Sequence, residues 1–113
     1  SIKEAGGRVT FSTDWPVSNV DPINAISNAI NRQVWSEGQL DQRLSLIDTL
    51  KAYTIGGAYA EFKEHKKGMI KENYLADIVI LSDRIDHLDI NEISKIKVMC
   101  TIVDGKLVYK ADR

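Results

Sequence analysis

The 113 residues suit one small domain or the end of a larger one, and 43% hydrophobic residues suffice to bury a core. Lys and Arg number 15 against 16 Asp and Glu, a net charge of −1 that leaves no basic face for nucleic acid. No apolar run is long enough to span a bilayer and no signal-peptide pattern stands at Ser1, so the sequence predicts a soluble, cytoplasmic protein with no membrane partner.

In chain order, Ile2-Lys3-Glu4-Ala5 reads as the last turn of a helix, stopped by Gly6-Gly7. Residues 8–12 read as a short strand ending at Asp14, with a Trp15-Pro16 turn directly after. Asp21-Pro22 is a helix start, with Asp as cap and Pro at the first helical position. Ile23, Ile26, Ala29, Ile30 and Val34 then recur at helical spacing and predict an amphipathic helix ending near Gly38. Ser45 with Asp48 marks a second start, its buried stripe being Leu46, Ile47, Leu50 and Tyr53. Thr54 can cap a further short helix through Ala60, in which Gly56-Gly57 let a neighbour approach closely. The charged residues 61–68 predict an exposed connection.

Beyond it the chain is strand-rich. Residues 76–81 form a nearly continuous apolar strand of the kind covered on both faces. Residues 83–91 read as a polar loop, and residues 96–103 and 106–109 as strands joined by Asp104-Gly105, a strong hairpin signal. Cys100, the single cysteine, cannot form an internal disulfide and is predicted to be a buried structural thiol.

Four segments resemble the C-terminal end of a metal-dependent amidohydrolase, in the branch that includes N-substituted formamide deformylase. They are Gly7-Arg8-Val9-Thr10-Phe11-Ser12-Thr13-Asp14-Trp15-Pro16-Val17; Leu50-Lys51-Ala52-Tyr53-Thr54 with Ala58-Tyr59-Ala60; Lys67-Gly68-Met69-Ile70 leading to Leu75-Ala76-Asp77-Ile78-Val79-Ile80-Leu81; and Thr101-Ile102-Val103-Asp104-Gly105-Lys106-Leu107-Val108-Tyr109. They keep the family's order over nearly the whole chain. Two departures are mild: Thr13 stands where the family has Ser, and Asn73-Tyr74 replaces a Gly-Lys turn. Asn tolerates the left-handed conformation that such a turn uses.

The resemblance implies an α/β fold class: the last strand and helices of a (β/α)8 TIM barrel over residues 1–65, then the C-terminal strands of the accompanying β-sandwich over residues 66–113. With an active-site strand so close to Ser1, most of the enzyme is expected upstream. The resemblance further implies hydrolysis of a non-peptide C–N bond, amide or formamide, in a small-molecule substrate. The family's cofactor is a divalent metal, most often zinc, which activates water; none is expected in this chain alone.

Asp14 matches the family's last-strand aspartate, which lies beside that water. A carboxylate there can take the water's proton and pass it to the leaving nitrogen. Read without the resemblance, a strand-end Asp is more commonly a turn-capping carboxylate. Asp14 is also a possible metal ligand, but only together with ligands absent from this chain. Trp15 is a candidate substrate-binding residue or a packing residue clamped by Pro16. The two histidines, His65 and His87, match none of the family's ligand positions and are predicted exposed, and Asp77 is read as structural. The chain by itself is therefore expected to be inactive, and its helix faces and strand edges, made to pack against neighbours, to drive self-association. Alternatives on the same residues are a deaminase or cyclic-amide hydrolase, and a self-standing structural or interaction module.

Overall fold

The computed structural model describes residues 2–112. It begins with a turn over residues 2–6 in which the Gly6 N–H donates to the Lys3 carbonyl at 3.0 Å and the Gly7 N–H to the Ile2 carbonyl at 2.9 Å. Gly6 has φ +80°. This pair of bonds around a left-handed glycine is the Schellman closure of a helix, so the predicted helical turn and its glycine stop are both present in short form.

Residues 8–12 are not a strand. A strand needs a ladder partner, and among the described residues this segment lies instead against helices. The Phe11 N–H donates to the Ala52 carbonyl at 3.1 Å, and the Phe11 ring meets Tyr53 edge-on, with centroids 5.6 Å apart.

Helix α1, Pro22–Asn31, starts as predicted: the Asp21 side chain accepts from the Ile23 N–H and Pro22 fills the first turn. It stops at Asn31, short of Gly38, because Arg32 turns to ψ 122°. The buried stripe ends at Ile30, and Val34 points to solvent. Helix α2, Leu46–Tyr53, is capped by Ser45, which accepts from the Asp48 N–H. Lys3 and the Ser45 hydroxyl both hydrogen-bond the Asp48 carboxylate and hold its pKa below the usual carboxylate value. Leu46, Leu50 and Tyr53 face the core. Ile47 does not; adjacent helical positions diverge by about 100°, and only one face of α2 is covered. Helix α3, Ile55–Ala60, follows at once. Thr54 makes no side-chain cap to it; its hydroxyl donates backward to the Leu50 carbonyl at 2.8 Å.

Strands β1 (Ile78–Leu81), β2 (Val98–Val103) and β3 (Lys106–Lys110) form an antiparallel sheet in that order, with Ile78 opposite Ile102 and Val103 opposite Lys106. Asp104 (φ +49°) and Gly105 (φ +74°) make the two-residue turn with both centres left-handed, the twist-matched hairpin the sequence announced. The expectation of a β1 covered on both faces fails. Val79 and Ile80 point to opposite faces and both are half exposed, while Leu81 at the end of the strand packs against the core, so the middle of β1 is left uncovered on both faces among the described residues. Cys100 is half-buried rather than buried.

The core lies where sequence patterning expected a polar loop and its exit. A 3-10 helix, Ile90–Lys95, carries Ile93, which is 0% exposed. Ile93 and Ile96 pack with Ile23, Ile26 and Ile30 of α1, while Ile85, Leu88, Leu81 and Val98 close around them. Residues of the helical and strand-rich portions thus share one core. Among the described residues the buried hydrophobics are Ile23, Ile26, Ile30, Ala52, Ala58, Ile93 and Ile96, a thin interior for a chain of this length. The radius of gyration, 15.3 Å, exceeds the roughly 13 Å of a compact domain of this size.

Candidate functional site

Asp14 sits in a tight turn. Its φ is +53°, a left-handed value that Asp adopts more readily than most residues. The Asp14 N–H donates to Ser12 Oγ at 3.2 Å, and the Asp14 carbonyl accepts from the Val17 N–H at 2.8 Å across a cis Trp15–Pro16 bond. The Ser18 hydroxyl donates to the Thr13 carbonyl, and the Asp21 N–H donates to Asn19 Oδ1 at 3.0 Å. The loop is thus braced by its own short polar side chains, and Asp21 then caps α1. The bracing by Ser12, Ser18 and Asn19 was not read from the sequence, although Ser and Asn in a loop are the residue types that bond nearby backbone.

What this bracing leaves free is the Asp14 carboxylate. Among the described residues it makes no hydrogen bond or ion pair, and it stands at the protein surface. Trp15 is 68% exposed beside it. A surface carboxylate on a fixed backbone, flanked by an open indole, can accept a proton from a molecule bound against it.

The other candidates lie apart from this turn in the chain and do not join it in a cluster. His65 and His87 are exposed; His87 Nε2 lies 3.4 Å from Asp86. Asp77 has a structural part: its Oδ1 accepts from the Asp104 N–H at 2.9 Å and, with the Gly105 N–H to the Ala76 carbonyl at 3.1 Å, ties the hairpin turn to the approach to β1. A cavity of about 300 Å³ lined by Arg32, Trp35 and Gln39, and one of about 260 Å³ between Arg8, Asp48, Lys51 and Gly56, both exclude Asp14 from their walls.

A catalytic zinc takes three protein ligands. No group of three His, Cys, Asp or Glu suited to a metal ion is found among the described residues. These residues do not by themselves fit a catalytic metal, and Asp14 offers at most one ligand. No helix among them is long and apolar enough to cross a membrane.

The chain is 33% identical over 112 residues to the protein LONG AFTER FAR-RED 3 of Arabidopsis thaliana, covering 96% of this chain and 19% of that relative. It is 28% identical over 113 residues to the N-substituted formamide deformylase of Arthrobacter pascens, covering 97% of this chain and 21% of the relative. The chain therefore spans about a fifth of the length of these curated relatives. In fold it is similar to a crystal structure of an amidohydrolase from Thermotoga maritima, with a TM-score of 0.67 at 21% identity, over 97% of this chain and 25% of that one. The model of the amidohydrolase family matches residues 1–109, from the opening turn through the braced Asp14 loop to the end of the hairpin, and the chain belongs to that family.

Proposed function

We propose that these residues are the C-terminal portion of an amidohydrolase that cleaves a non-peptide C–N bond of the amide or formamide type, and that Asp14 is its proton-transfer residue. Residues 1–65 are then the end of the catalytic barrel and residues 66–113 part of its sandwich. The observation that carries the reading is the Asp14 turn: a carboxylate left unengaged at the surface on a backbone that four local hydrogen bonds fix in place. In this role the Asp14 carboxylate takes a proton from the attacking water and returns it to the departing nitrogen. Trp15, open beside it, forms part of the substrate wall. The family is generally metal-dependent. A divalent metal, zinc in our reading, would need ligands from outside the residues described here, so no step is routed through one.

The test uses the full-length chain. Asp14→Asn keeps the side-chain shape and removes the base. Turnover of a panel of N-substituted formamides and amides is expected to fall about 10²-fold or more, with bound metal, measured by mass spectrometry, unchanged. Turnover equal to that of the parent protein would remove Asp14 from the chemistry. A native polypeptide no longer than this sequence would favour the structural or interaction module instead.

A further inference from the structure

The Asp14 loop is braced by its own local bonds, but where the braced loop sits on the molecule depends on partners far from it in sequence. The loop 14–21 carries local bonds at Val17, Ser18 and Asp21, the Ser18 hydroxyl reaching back to Thr13, and these exposed bonds hold only while both ends of the loop are tied down. One end is held by the Phe11 N–H and the Thr10 hydroxyl, both on the Ala52 carbonyl of α2 at 3.1 and 3.3 Å. The other end is Asp21, the cap of α1. Helix α1 takes its seat from the strand-rich portion: Ile23, Ile26 and Ile30 are buried against Ile93 and Ile96, and Asn31 Nδ2 donates to the Ile90 carbonyl at 2.8 Å.

We infer that the 3-10 helix Ile90–Lys95 buttresses the Asp14 loop through α1, with Ile93 as a positioning residue for the reaction. The assignment rests on the reading of Asp14 as the proton-transfer group. It gives the strand-rich portion a part in the chemistry without contact with the substrate. Interiors are close-packed and transmit displacement. A cavity at Ile93 therefore frees α1 to shift and takes the Asp21 end of the loop with it.

Hydrogen–deuterium exchange of the full-length chain, read by mass spectrometry from milliseconds to minutes, tests this without a substrate. In Ile93→Ala the peptide covering residues 13–21 should exchange about tenfold faster, while the hairpin peptide covering residues 98–110 keeps its parent rate. Ile93→Val should restore most of the protection, and across the variants kcat on the formamide and amide panel is expected to fall with loop protection while KM stays at the parent value; a kcat that ignores loop protection leaves Ile93 merely structural and overturns the inference. If Ile93→Ala does not fold, Asn31→Ala removes the tether to Ile90 without opening the core, and should give the same pattern at smaller amplitude. An unchanged loop, or a loop and hairpin that accelerate together as global destabilisation requires, overturns the inference. Undiminished turnover in Asp14→Asn would defeat the catalytic reading and leave the exchange pattern intact, so the two failures are distinguishable.

Discussion

Phe62 has φ +59° where α3 closes, and its side chain is 82% exposed. Its N–H bonds the Tyr59 carbonyl at 2.9 Å and the Lys63 N–H bonds the Ala58 carbonyl at 2.8 Å, the same closure that Gly6 makes at the opening turn. That position normally belongs to glycine, and a side chain there costs about 1–2 kcal/mol. Little packing is lost with an exposed ring, so Phe62→Gly should stabilise the chain by about 1 kcal/mol, read as a raised denaturant midpoint at constant slope. A lowered midpoint would mean that the ring is in contact with something in the full protein. Left-handed backbone was legible where the residue type announces it: Asn73 at φ +65°, and Asp104 with Gly105. Phe62 gives no such signal, since nothing in its chemistry favours the conformation. Asp14 was legible as a candidate from its place before Trp-Pro, but its unengaged carboxylate was not. That depends on which neighbours Ser12, Ser18 and Asn19 choose to bond.

Among the elements, the close approach foreseen for Gly56-Gly57 falls on one glycine. A Cβ on Gly56 would lie 2.8 Å from the Val9 carbonyl oxygen and 3.1 Å from that of Lys51, whereas on Gly57 the nearest atom, Thr10 Oγ1, is 3.9 Å away. Opposite signs follow for one chemical change. Gly57→Ala should stabilise by about 0.5–1 kcal/mol through helix preference. Gly56→Ala should destabilise by about 1 kcal/mol net, because a clash with backbone outweighs that preference. Paired denaturation curves check both, and equal shifts in one direction would contradict the packing of residues 8–12 on α3. Helix starts were readable because Asp21 and Ser45 cap their own helices through local bonds. Helix ends and the 3-10 helix were not. The end of α1 is set by where the burial stops, and Ile93 looks like an isolated apolar residue in a polar run until α1 is laid upon it. The strand expected at residues 8–12 is a related case: its pattern is strand-like, but the ladder that defines a strand is a property of partners.

For the whole molecule, the interior is small and the surface apolar. Val79 and Ile80 on β1 and Leu107 and Val108 on β3 are each about half exposed, on the two edge strands of the sheet. We expect the isolated chain to self-associate, with sedimentation showing a weight-average mass that rises with concentration; a monomer up to millimolar concentration would refute this. The family was legible because four local segments carry it, and each lies within about fifteen residues. The α1 half of the core, Ile23, Ile26 and Ile30, was legible from its spacing; the half that covers it was not, because the core joins residues more than sixty positions apart, Ile30 and Ile93. That separation also has a meaning in time. A ribosome adds about 5–20 residues per second, so the isoleucine face of α1 waits several seconds after its own synthesis before Ile93 exists to cover it. The hairpin, once made, closes within microseconds. During manufacture the vulnerable piece is therefore the helix that carries the Asp14 loop, and that helix is where a chaperone would find the nascent chain open.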